Sequence, residues 1–209
     1  MMVWKLNHTG WDGMKEKWKK FKDQQVQIGE LDDRTLLLNL YLTQILTLMV
    51  GCIWILFSRR NPIKLLFLPE TLEPLLWGAG LAIVVVIVDL LVSRFVPDEA
   101  TDDGGINERL FRKRPFWHIF VIALIVAICE EMLFRGAVQH TLGIYWTSVL
   151  FAAIHVRYLR HWVPTLMVFS ISYALGTIYE WTGSLWAPIT AHFFIDFIMG
   201  LILRYRRES

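Results

Sequence analysis

The residues Glu130-Glu131-Met132-Leu133-Phe134-Arg135 close an apolar run over residues 121–129. Two adjacent carboxylates and a guanidinium at such a depth are expensive, and groups of this kind are usually functional. At about 100° per residue on a helix, Glu131 and Arg135 stand on one face and can pair. Glu130 lies about 140° from Arg135 by the same geometry and is poorly placed to share that partner. One glutamate is therefore a candidate anchor, and the other a carboxylate in an apolar setting, as a general base requires. The plain alternative is a structural ion pair at a helix end, with the spare glutamate in water.

Two more ionisable clusters follow in the apolar half of the chain. Phe151-Ala152-Ala153-Ile154-His155 sets a histidine four residues after a phenylalanine, and His192-Phe193-Phe194-Ile195-Asp196 sets a histidine and an aspartate on one helix face. A lone histidine in a helix is more often a satisfied core residue. Three such motifs in order, each in its own apolar segment, say more. The ordered set E-E-x-x-x-R, F-x-x-x-H, H-x-x-x-[N/D] resembles the intramembrane CAAX-protease and bacteriocin-processing family, which includes the type II CAAX prenyl endopeptidases, and the resemblance covers residues 116–203. It implies that Glu130 and His155 hold and deprotonate a water and that His192 and Asp196 attend the oxyanion, with Glu131 and Arg135 in support. The chain departs from the family pattern where an asparagine amide would donate a hydrogen bond, because an ionised Asp196 cannot donate. Asp196 would then be protonated, orient His192 or bind a metal.

The elements that must carry these motifs are membrane spans. Of the 209 residues, 55% are hydrophobic, mean hydropathy is +0.44, and the apolar residues come in long blocks. Blocks of about 18 or more apolar residues read as transmembrane helices. Six are expected, over residues 36–57, 75–96, 116 through the glutamate motif to about 139, 144–158, 162–179 and 185–203. The piece 63–68 is too short to span. Placing the third turn at 142–143 brings Glu130 and His155 to one depth, each 12–13 residues from it, or about 19 Å along a helix. Pro188 suits the first turn of the last helix, with His192 about one turn in. The fold class is thus all-α: a polytopic membrane helical bundle of about six spans.

Ahead of the bundle, residues 1–35 carry six lysines, and Trp11, Met14, Trp18 and Phe21 recur at three- to four-residue spacing. This pattern reads as an amphipathic helix on an anionic membrane face rather than as a signal peptide, since no apolar h-region follows the charges. Two parts follow: a cytoplasmic segment 1–35 and a transmembrane bundle 36–209 holding the site within 116–203. With six spans both termini share a side, and the 21 Lys and Arg divide 17 to 4 in favour of that side. The positive-inside rule then makes both termini cytoplasmic, in a multi-pass protein of a bacterial cell membrane.

Other classes find little support. A net charge of +2, with no phosphate loop and no basic-aromatic patch, excludes nucleic acid as a partner. Cys52 and Cys129 both fall in predicted spans, so they form no disulfide framework. Asp89, inside the second span, is expected to reach the interface or pair with Arg94. A non-proteolytic scaffold, immunity or sorting factor would have no need of so many costly groups in lipid, and a transporter would show repeats and paired broken helices. The partners expected are the bilayer and a membrane-embedded or membrane-associated peptide. Glu130, His155 and His192 would suffice as ligands for Zn2+, which needs about three protein donors and an open position. No H-E-x-x-H helix is present, and ligating zinc would cost Glu130 its role as base, so the expectation is a site with no required cofactor.

Overall fold

The computed structural model describes residues 32–96, 105–156, 158–159 and 161–205. The proposed amphipathic helix at Trp11, Met14, Trp18 and Phe21 lies outside them. Among the described residues the chain is all helical. Helix α1 is Asp33–Phe57, α2 the single turn Pro62–Leu65, α3 Glu73–Phe95 and α4 the short Ile106–Phe111. Helix α5, Phe116–Glu131, runs directly into a π-helical segment, Met132–Val138, and then into α6, Gln139–Ile154. Helices α7, Trp162–Thr182, and α8, Trp186–Tyr205, complete the bundle.

Composition makes these helices and also orients them. Helix α1 turns Leu38, Leu42, Ile45, Leu46, Met49, Ile53 and Leu56 outward. Such a stripe is tolerable only against lipid, where every backbone polar group must be satisfied within the helix. Among the described residues five helical stretches are long and apolar enough to cross a membrane, and the protein is an integral membrane protein. The breaks have local causes. Asn61 accepts hydrogen bonds from the backbone N–H groups of Ile63 and Lys64 at 2.9 and 3.3 Å, with Pro62 at the first helical position, so the predicted non-spanning piece winds as one capped turn.

One of the five stretches, Phe116–Ile154, is 39 residues long and does not run straight. Gly143 has φ 76° and ψ 172°, a left-handed break that a residue with a Cβ rarely adopts, and the chain folds back there. The return is visible in the Phe134 and Phe151 rings, from either side of the break, which meet edge to face at 4.7 Å. The turn therefore falls where the spacing predicts it. The expected fourth span over 144–158 is corrected: after Gly143 the helix lasts only to Ile154, about 16 Å at 1.5 Å per residue. That is half of a hydrocarbon core about 30 Å thick. The rest of the return is made by turns, and the Tyr158 hydroxyl receives a hydrogen bond from Asn107 Nδ2 at 2.8 Å. Among the described residues the bundle thus has five stretches long enough to span, one of them folded back on itself at Gly143.

The two described ends of the bundle lie together. Asp33 pairs with Arg109 near the start of the chain's described part, and near its end Gly200 packs against Phe111 and Ile119. Helix α3 packs closely on α8, where a Cβ on Gly78 would collide with the Ala187 carbonyl. Ile55, Ala127, Met132, Ala137, Leu185 and Ile189 form one core cluster, drawn from α1, α5, the π segment and the entry to and first turn of α8. Asp89 makes no ion pair with Arg94 among the described residues, so that alternative drops out.

Candidate active site

Glu131 and Arg135 are completely buried and pair at 3.0 Å, as their spacing predicts. The guanidinium also donates to the Ser172 carbonyl and hydroxyl at 2.9 and 3.0 Å, which ties the motif to α7, and it lies 5.2 Å from the centre of the Phe151 ring. Glu131 is not reserved for Arg135. Its Oε1 also accepts from His192 Nδ1 at 2.7 Å, so a single carboxylate oxygen joins a cation on the π segment to an imidazole on α8. His192 stands seven residues into α8, nearly two turns and not one, because the helix starts at Trp186. At the far side of the ring, Nε2 is 3.4 Å from Asp196 Oδ2. Ser172, Arg135, Glu131, His192 and Asp196 thus form one continuous polar chain from buried interior to partly exposed carboxylate.

The π segment Met132–Val138 buries Phe134, Arg135 and Val138, and π turns often occur at functional sites. Arg60 stitches the segment from outside, donating to the Gly136 carbonyl at 2.9 Å and to the Tyr179 hydroxyl at 3.2 Å.

Glu130 points elsewhere. Its Oε1 accepts from Gln44 Nε2 on α1 at 3.2 Å, and its Oε2 is buried with no donor among the described residues. His155 ends its helix rather than lying inside it. Its backbone N–H donates to the Ala152 carbonyl, and its Nδ1 donates to the Phe151 carbonyl at 2.7 Å. A carbonyl can only accept, so in the neutral ring the lone pair is on Nε2. Phe151 is the hub that gathers the histidines: its ring stacks on His155 at 4.5 Å and meets His192 edge to face at 6.3 Å. Sequence reasoning missed Gln44, Ser172 and the positioning role of Phe151. The signal for Gln44 was an amide within an otherwise apolar span.

Among the described residues no three His, Cys, Asp or Glu side chains converge as a metal-binding group. Of the proposed donors Glu130, His155 and His192, the last has one ring nitrogen on Glu131 and the other facing Asp196. Cys129 is buried next to Glu130 and adds no third donor to it. We expect protein purified without chelator to carry well under one zinc per chain. One zinc per chain, lost together with activity in both His155→Ala and His192→Ala and restored with activity by added zinc in stripped wild type, would reverse that expectation.

A cavity of 380 Å³ opens on the apolar flank of the site. It is lined by Leu72 and Leu76, by Leu124 of α5, and by Ile189, Thr190 and Phe193 of α8. Phe193 adjoins His192 in the chain, but none of the carboxylates or histidines lines the cavity.

Residues 112–198 match the family described as type II CAAX prenyl endopeptidase Rce1-like. The chain is also 44% identical over 129 residues to the protein named "Uncharacterized protein YpbD" of Bacillus subtilis (strain 168), across 62% of this chain and 68% of that protein. No solved structure matches. The matched residues contain all three polar motifs, and on these likenesses the chain belongs to the type II CAAX prenyl endopeptidase Rce1-like family.

Proposed function

We propose that this protein is an intramembrane endopeptidase that hydrolyses a peptide bond at or within the membrane, using a water activated by Glu130 and His155. The observation that carries the reading is the difference in partners of the adjacent glutamates: each has a buried Oε2 with no donor among the described residues, but Glu131 Oε1 is held by both Arg135 and His192, whereas Glu130 Oε1 meets the neutral amide of Gln44 and no cation there. In the reaction Glu130 takes a proton from water, and His155, as imidazolium, donates from Nε2 to the water oxygen and holds it. The hydroxide attacks the peptide carbonyl, and the oxyanion that forms is stabilised from the His192–Asp196 side. Glu130 returns its proton to the leaving nitrogen, the C–N bond breaks, and a carboxylic acid and an amine leave. Glu131 orients His192 in this scheme, and Arg135 fixes Glu131. With Nδ1 donating to Glu131, Nε2 can donate to the oxyanion only as imidazolium, for which Glu131 and Asp196 are the flanking counter-charges.

The substrate is a membrane-embedded or membrane-associated peptide. The apolar cavity beside α8 supports access from the lipid side, because a soluble peptide would gain nothing from a site lined by Leu, Ile and Phe. No metal is needed in this scheme. The test of function is a comparison of membrane peptides in cells carrying wild type or Glu130→Gln: a substrate accumulates uncleaved in the variant, and identical peptide sets would count against proteolysis.

The protein sits in a bacterial cell membrane with both termini cytoplasmic, on the strength of the basic residues at that end. Reporter fusions at Ser209 and within residues 179–185 should give opposite answers. The same answer from both would mean that the half-length return through Gly143 does not carry the chain across.

A further inference from the structure

Gln44 lies on α1, outside the residues that match the family. It is 7% exposed, deep in a helix whose other face is against lipid. Its Nε2 donates to Glu130 Oε1 at 3.2 Å, and since a carboxylate oxygen only accepts, this bond settles which end of the amide faces Glu130. The amide oxygen, Gln44 Oε1, is then buried with no donor among the described residues, and so is Glu130 Oε2. Buried acceptors are normally paired, so these two, on side chains already bonded to each other, call for donors. A water has two O–H bonds and can serve both.

We propose that Gln44 is a positioning residue for the attacking water: its Oε1 accepts one water proton while Glu130 Oε2 accepts the other, the one it removes. Gln44 Nε2 has a second task. By occupying Glu130 Oε1 it holds the carboxylate in one rotamer, so that Oε2 is the oxygen that acts as base. This rests on the reading of Glu130 as general base. A polar clamp between α1 and α5 is the structural role to be distinguished from it, since interhelical amide contacts of this sort also hold membrane bundles together.

The variants are Gln44→Met, which keeps length and removes both polar atoms, and Gln44→Leu in case Met packs badly. Both would be measured in detergent and in vesicles against a peptide that wild type cleaves. For the better-folded variant, kcat should fall at least tenfold with KM within twofold of wild type. Tm should fall only slightly, because the change removes the Gln44 Oε1 acceptor while it leaves Glu130 Oε1 without its donor. Placed in Glu130→Gln, the same change should lower the residual rate by less than twofold, since both act on one water. The proposal is overturned by a kcat within twofold of wild type, by a kcat loss that comes with a large fall in Tm in both variants, or by a full tenfold further loss in the Glu130→Gln background. Turnover that survives Glu130→Gln overturns the general-base reading itself, whereas a dead Glu130→Gln beside a fully active Gln44→Met removes Gln44 alone.

Discussion

Replacing Glu130 by glutamine is expected to slow peptide hydrolysis by a factor on the order of 10² or more, with little change in stability. The amide keeps the shape of the side chain and can still take a hydrogen bond from Gln44 through its oxygen. What it lacks is the basic oxygen that receives the water proton. Stability should hold because Glu130 is not part of the chain from Ser172 through Arg135 to His192. The measurement is kcat/KM with a membrane peptide, alongside Tm for the same preparation. Near-normal turnover by a well-folded Glu130→Gln protein would end the mechanism proposed for Glu130.

Arg135→Ala should act first on the fold. The guanidinium is completely buried, and it is joined to Glu131, to the Ser172 carbonyl and hydroxyl, and to the Phe151 ring. Removing it leaves the Glu131 carboxylate with His192 as its remaining hydrogen-bond partner among the described residues, and breaking one side of a buried pair of this kind costs about 3–5 kcal/mol. Activity should fall with stability, because Glu131 also sets the orientation of His192. Arg135→Lys should recover little, since a single ammonium cannot reproduce a planar fork that reaches both α7 and Glu131. An unchanged Tm for Arg135→Ala would contradict the pairing and return Arg135 to consideration as a group that binds the substrate.

Much of this arrangement could be read from spacing. The four-residue interval between Glu131 and Arg135 is a property of one helix, and so is that between His192 and Asp196, so local geometry alone predicts that each pair shares a face. The break at Gly143 was visible because the apolar pattern pauses there. What spacing could not reach were contacts between helices. That Glu131 would serve His192 as well as Arg135, or that Gln44 would meet Glu130 across 86 positions of sequence, depends on how α1, α5 and α8 dock. The pattern also overstated the fourth span, because Val156, Tyr158 and Leu159 continue the apolar run after the helix has ended. Hydropathy records where a segment lies in the membrane and not whether its backbone is still wound.

The short return through Gly143 has a consequence for the surrounding lipid. A helix that covers about half of a hydrocarbon core leaves a mismatch at that flank of the bundle, which a bilayer meets by thinning locally. Unwound backbone at such depth is tolerated only where protein or water covers it. His155 stands at the point where the winding stops. On the hydrolytic reading proposed above, local thinning at this flank would shorten the path of water to His155, and the thickness of the host membrane would be part of what sets the rate.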